Sequence, residues 1–165
     1  FYFGLRQALP DKDVRFDCFA QLLVAGRELA HVRYYNVHLT QQTDPDRYQR
    51  HERFLNAISS LPYFHVFHGR MVDRPWGTQE KGVDVQLAVD MVKQAFLDNY
   101  DTAILVSGDG DFDHAVQAVV DRGKHVENAY FKMGRSPALI NCCSRFVELT
   151  EEFMKDCLVQ RPQRP

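Results

Sequence analysis

A chain of 165 residues, 45% hydrophobic and 25% charged, has the size and composition of one globular domain with a proper core. No run approaches the ~18 apolar residues of a membrane span, and no basic-then-apolar leader opens the chain, so no membrane association is expected. The net charge of −2 excludes a global pull toward polyanions, and a nucleic acid would have to be held by a local patch.

Four cysteines, Cys18, Cys142, Cys143 and Cys157, show no paired metal spacing. Adjacent Cys142 and Cys143 read as buried thiols of a reducing cytosol, and hence of a cytoplasmic protein. Phe1 is not an initiator methionine, and the chain starts abruptly in apolar sequence. The expectation is that more chain precedes it.

In chain order, Phe1 to Leu9 reads as a helix stopped near Pro10, followed by a charged turn, Asp11-Lys12-Asp13. Phe16 to Ala25 is a short helix carrying Phe19, Leu22 and Leu23, ended by Gly26. Leu29 to Leu39 has the β-rich character of a strand. Asp44-Pro45 signals a helix start, Asp44 as cap, with Phe54, Leu55 and Ile58 inward as far as Ser60. Arg47, Arg50 and His51 share another face of that helix, read as solvated. Tyr63 to His68 is a second strand, whose two histidines point to opposite faces and make no zinc site.

Gly69 to Gly82 reads as a polar loop with Arg70, Arg74, Lys81 and the single tryptophan, Trp76. It is either a plain crossover or a flap in which Trp76 stacks on a base and the cations meet phosphates. Val83 to Leu97 is a strong helix, with Val85, Ala88, Val89, Val92, Ala95 and Phe96 assigned to its inner face. Asp84 stands in its first turn, where the helix dipole favours an anion. Asp90 lies roughly 9 Å further along the axis and about 120° away in azimuth, so the two cannot share one small site. Asp84, at the end nearest the preceding loop, is the choice.

The most informative stretch is Tyr100 to Val120. Thr102 to Val106 is an apolar, β-branched run suited to a parallel strand buried on both faces. Ser107 and Gly108 break it; Phe112, Ala115, Val116, Val119 and Val120 then recur on one helical face, with Gly123 just past its end. Asp109, Asp111 and Asp113 are packed into the intervening turn, at a strand carboxyl end where open α/β sheets bind ligands. Capping accounts for one of these acids; the crowding of all three points to a bound cation. An EF-hand loop needs Gly at its sixth position and Glu at its twelfth, and here His114 and Val120 stand there. Beyond it, Val126 to Phe131 and Arg145 to Leu149 read as strands, Ala138 to Cys143 as a short helix, and Thr150 as the N-cap of a last one. Residues 1–158 read as a single domain, and 159–165 as a frayed tail. Alternating strands and helices imply a mainly parallel α/β sheet covered on both faces.

Lys81-Gly82-Val83-Asp84-Val85 with Leu87-Ala88-Val89-Asp90, followed by Tyr100-Asp101-Thr102 and Val106-Ser107-Gly108-Asp109-Gly110-Asp111-Phe112, resembles the NYN (LabA-like) family of the PIN-like nuclease group. The close match covers about residues 80 to 131, and the segment Phe146 to Leu149 is also similar. The resemblance implies a Rossmann-like three-layer α/β/α sandwich and a metal-dependent ribonuclease. One or two Mg²⁺ or Mn²⁺ ions would be held at the strand carboxyl ends by Asp84, Asp109 and Asp111, the catalytic acids. Oxygen-only ligands suit such hard cations. Lys81, Trp76, Arg74 and Ser107 are assigned to substrate binding. Two departures stand out. The family's Asp-Gly-x-Asn motif, on a strand before the first helix, is absent, and Ser144 stands where relatives often carry Asp.

Two other functions compete. Gly108-Asp109-Gly110 with Asp113 resembles the metal motif of haloacid-dehalogenase-type phosphatases. Neither Asp11-Lys12-Asp13 nor Asp44-Pro45-Asp46 follows the apolar strand that their nucleophile requires. The other is a module of the same fold that binds RNA or a protein partner, or pairs with a second copy, without cutting.

Overall fold

The computed structural model describes residues 1–37, 45–74 and 77–161, with side chains at all of these except 37, 70–74 and 77–81. The chain divides into two compact units, one of residues 1–27 with 89–165 and one of residues 28–88.

The first unit begins with α1 (Tyr2–Ala8), β1 (Lys12–Val14) and α2 (Phe16–Val24). Ala25, at φ 53°, and Gly26, at φ 82°, turn the chain out of α2 through the left-handed region. Asp11-Lys12-Asp13, read as a charged turn, is partly strand, since Lys12 and Asp13 belong to β1.

The second unit contains β2 (Val32–Val37), α3 (Pro45–Ser59), β3 (Phe64–Arg74), β4 (Gly77–Lys81) and the start of α4 (Val83–Phe96). β2 and β3 pair in parallel, Val32 opposite Phe64 through Val37 opposite Gly69. Leu55 and Ile58 of α3 are buried, and Phe54 meets Tyr34 edge-on at 5.9 Å. Asp44, the expected cap of α3, lies outside the described residues.

The polar loop of the sequence reading is a hairpin. β3 runs on to Arg74 and pairs antiparallel with β4, Arg70 opposite Lys81 and Arg74 opposite Gly77. A ladder is satisfied by backbone groups alone, and in this mostly polar ribbon the apolar residues Met71 and Val72 are adjacent rather than alternating, so no strand period betrays it.

In α4 the expected inner face is also corrected. Met91 and Ala95 are the buried positions, while Val85, Val89 and Phe96 are exposed. Apolar residues occur around most of this helix, so a 3.6-residue period cannot choose a side.

The first unit resumes with the rest of α4. Tyr100, just beyond it, donates its hydroxyl to the Met91 carbonyl at 2.7 Å. Then follow β5 (Thr102–Leu105), a single 3₁₀ turn (Gly110–Phe112), α5 (Asp113–Asp121), β6 (His125–Tyr130), α6 (Pro137–Cys142), β7 (Arg145–Glu148), α7 (Glu151–Met154) and β8 (Leu158–Gln160). β5, β6 and β7 form a parallel sheet in that order. Gly123, at φ 83°, turns the chain from α5 into β6, and Thr150 caps α7 by accepting the Phe153 N–H at 3.1 Å.

Leu5, Phe19, Leu23, Ala129, Tyr130, Phe131, Leu149 and Met154 form the core that ties α1 and α2 to β6. Phe131, 1% exposed, alone contributes about 1.5–3 kcal/mol by leaving water. β8 pairs antiparallel with β1, Lys12 opposite Gln160, so Val159 and Gln160 belong to a strand rather than to a frayed tail. Cys18 of α2 and Cys157 form a disulfide across a sequence separation of 139, Cα atoms 5.3 Å apart. Only Cys142 and Cys143 are free, and both are half-buried rather than buried. No helix among the described residues is long and apolar enough to cross a membrane.

Candidate functional site

β5 ends at Leu105, and the chain turns sharply through Ser107, Gly108 and Asp109 before the 3₁₀ turn leads into α5. The turn is built by its own side chains. The Ser107 Oγ accepts the Asp109 N–H at 3.1 Å, and the Asp109 Oδ1 accepts the Asp111 N–H at 3.1 Å. Asp109 is thus the N-cap of the 3₁₀ turn, in extended backbone conformation. The capping reading accounts for one oxygen of this acid. Asp111 is exposed, and its carboxylate makes no hydrogen bond among the described residues. Asp113 turns to its neighbour, accepting the His114 N–H at 2.6 Å and pairing with the His114 ring. That hydrogen bond holds the Asp113 carboxyl below the usual range and the His114 imidazole above it.

The turn is pressed against its surroundings at both glycines. A Cβ on Gly108 would run into the Gly134 carbonyl oxygen and come within 2.8 Å of the Tyr130 ring at Cδ1. One on Gly110 would meet the Ser136 Oγ at 2.9 Å. Ser136 is itself buried and caps α6 by accepting the Leu139 N–H at 3.4 Å. Gly4 of α1 lies against the hydroxyl end of Tyr130, where a Cβ would stand 2.8 Å from the hydroxyl oxygen. Beneath the turn, Asn128 of β6 donates its Nδ2 to the Leu105 carbonyl at 3.0 Å and to the Ser107 carbonyl at 2.8 Å.

Ser107, Asp109 and Asp111 are therefore brought together on one turn at the carboxyl end of a parallel strand. The Ser107 hydroxyl oxygen shapes that turn as an acceptor, and its O–H remains a donor. Asp84 is exposed in the first turn of α4 and belongs to the other unit, as do the backbone positions of Arg74 and Lys81 in the hairpin. Trp76 lies outside the described residues. Among the described residues, no three of His, Cys, Asp or Glu are grouped so as to hold a metal ion. As donors, the free oxygen of Asp109 and the Asp111 carboxylate are hard and exposed, which fits Mg²⁺ or Mn²⁺ and not a thiolate-seeking metal. Of the acids a phosphatase reading would recruit, Asp13 is engaged by Arg6 and by the Tyr2 hydroxyl, each at 3.4 Å. Asp46 lies in the first turn of α3.

Gly134 and Ser136 read in the sequence only as part of a turn, and Asn128 and Tyr130 only as strand residues; none was assigned to the site. Asn128 left a weak signal, since asparagine is depleted in strands, and Ser136-Pro137 carries the signature of a helix start.

The described units are mixed α/β with parallel strand pairs, and an acidic turn stands at the carboxyl end of one strand. A family model described as NYN domain matches residues 4–150, and the chain belongs to that family. An uncharacterized protein of Methanocaldococcus jannaschii is 38% identical over 74 residues, which is 45% of this chain and 31% of the relative. The match thus spans about a third of that relative's length. A crystal structure of a protein of unknown function from Vibrio parahaemolyticus superposes with a TM-score of 0.69 at 26% identity, covering 95% of this chain and 88% of the other.

Proposed function

We propose that the chain is a divalent-cation-dependent ribonuclease, hydrolysing phosphodiester bonds of single-stranded or structured RNA with Asp109 and Asp111 at the reacting phosphate. The observation that carries this reading is the built turn. Two exposed carboxylates stand at the carboxyl end of β5 in a chain of the NYN family, that of Asp109 held through one oxygen and that of Asp111 making no hydrogen bond among the described residues. A bound Mg²⁺ or Mn²⁺ ion, or a pair of them, supplies an activated water and neutralises charge on the oxygen leaving phosphorus. Asp109 would present the oxygen not engaged by the Asp111 N–H, and Asp111 would hold the attacking water and take its proton. Asp84 is the third acid of this reading. Lys81 and Arg74 would meet phosphates, Trp76 would stack on a base, and Ser107 would keep the turn open to the backbone. Water adds to phosphorus, the P–O3′ bond breaks, and the departing O3′ takes up a proton. The Rossmann-like α/β/α sandwich implied by the family resemblance belongs to the same reading.

A second reading rests on the net charge of −2, which gives no general pull toward a polyanion. A module of the same fold would bind RNA or a protein partner without turnover. Incubating labelled single-stranded RNA with Mn²⁺, and in parallel with EDTA, separates the two. Cleavage that EDTA and Asp109→Asn both abolish carries the nuclease; retention of RNA without cleavage under any condition carries the binding module.

A further inference from the structure

In β6, Val126 through Tyr130 are all buried. Four of the five have evident reasons. Val126, Ala129 and Tyr130 are buried hydrophobic positions, and Glu127 receives a two-pronged guanidinium from Arg27 at 2.9 and 3.1 Å. Asn128 is different. It is fully buried, and its Oδ1 has no hydrogen-bond partner among the described residues. An orphaned buried acceptor is destabilising, a cost that an apolar side chain of similar volume avoids.

The other end of the carboxamide supplies the reason. Leu105 stands opposite Asn128 in the ladder and is the last residue of β5. Ser107 lies two residues further on, past the end of the strand. One NH₂ group bridges the two carbonyls, at 3.0 and 2.8 Å, and so clamps the strand end to the first residue of the turn. From Ser107 the bonds continue upward, the Asp109 N–H to the Ser107 Oγ and the Asp111 N–H to the Asp109 Oδ1. The position of the Asp109 carboxylate, and of the backbone that carries Asp111, thus descends from a buried amide that touches neither side chain.

We propose that Asn128 is a positioning residue: through Ser107 it sets where the Asp109 and Asp111 carboxylates stand, and thereby the affinity of the turn for a divalent cation. The proposal rests on the hydrolytic reading for what the turn binds, not for how the turn is held.

The test uses the full chain, wild type and Asn128→Leu, with Mn²⁺ itself as the probe. Amide hydrogen exchange at Asp109 and Asp111 should quicken about tenfold in the variant, the loss of roughly one net hydrogen bond. The Mn²⁺ dissociation constant, read from the paramagnetic resonance of the free ion, should rise about 10–100-fold, as for other groups that orient metal ligands. The melting temperature should stay near that of wild type, because the orphaned oxygen has gone too. A folded variant with unchanged exchange overturns the proposal. So does exchange that rises equally throughout β5 and β6, the mark of a merely structural residue. If Asn128→Leu does not fold, wild type decides by NMR. The Asn128 carboxamide protons should exchange slowly and show couplings across hydrogen bonds to the Leu105 and Ser107 carbonyl carbons; exchange as fast as in a free asparagine overturns the clamp. Failure of wild type to bind Mn²⁺ sinks the hydrolytic reading instead, and the exchange data alone then judge Asn128.

Discussion

Replacing Asp109 in two different ways separates a cation site from a helix cap. Asp109→Asn keeps an oxygen that can accept the Asp111 N–H, now at 3.1 Å, and removes one charge from the turn. Asp109→Ala removes both. Loss of the cap costs about 1 kcal/mol, or roughly 2–4 °C in melting temperature for a chain of this length. Without metal, then, the Ala variant should melt a few degrees below wild type. The Asn variant should melt level with wild type or above it, since an acid crowded by Asp111 is no longer charged. With Mn²⁺ at a hundredfold excess over its dissociation constant, wild type should gain ~2.7 kcal/mol by mass action, about 5–11 °C on the same scale. Both variants should lose most of that gain and all RNA cleavage. Differential scanning calorimetry of the three proteins, with EDTA and with Mn²⁺, makes the comparison. Wild-type curves that superimpose with and without Mn²⁺ would refute the cation site and leave Asp109 as a cap.

Further outcomes follow from the same geometry. Gly108→Ala drives a methyl group into the Gly134 carbonyl and the Tyr130 ring, an overpacking that should cost about 1–3 kcal/mol in chemical denaturation; a variant as stable as wild type would show that the turn is not pinned there. Trp76→Ala should weaken binding of single-stranded RNA by ~1–3 kcal/mol in a fluorescence titration. Lys81→Ala should reduce the salt slope of that binding by about one phosphate contact, and unchanged values in both variants would return the hairpin to a structural role. Burial, with Cys142 beside it, pushes the Cys143 thiol up to about 12. A raised thiol pKa leaves little thiolate at neutral pH, so mass-spectrometric mapping should find Cys143 alkylated far more slowly than a free cysteine at pH 8, with the rate still climbing above pH 10. Rapid labelling at pH 8 would contradict that environment.

Where local chemistry decides a feature, the sequence alone was enough. Thr102 to Val106 followed by Ser107 and Gly108 announces strand then turn, and Gly123 and Thr150 end or begin helices through bonds within a few residues of themselves. The acidic pair Asp109 and Asp111 was legible for the same reason: its spacing within the turn is a property of contiguous chain. The inner face of α4 was not, because a helix apolar around most of its circumference chooses its side only when something packs on it. Nor was the hairpin of β3 and β4, or the pairing of β8 with β1, since backbone ladders between short or mostly polar segments leave no side-chain period to read. The Cys18–Cys157 bond lay equally hidden, across a separation of 139 residues. What holds the acidic turn in place belongs wholly to the tertiary structure. Asn128 comes 21 residues after Ser107, and Gly134 and Ser136 come still later. Only the parallel register of β5 and β6 puts that amide under the turn, because a hydrogen bond depends on distance in space and not along the chain.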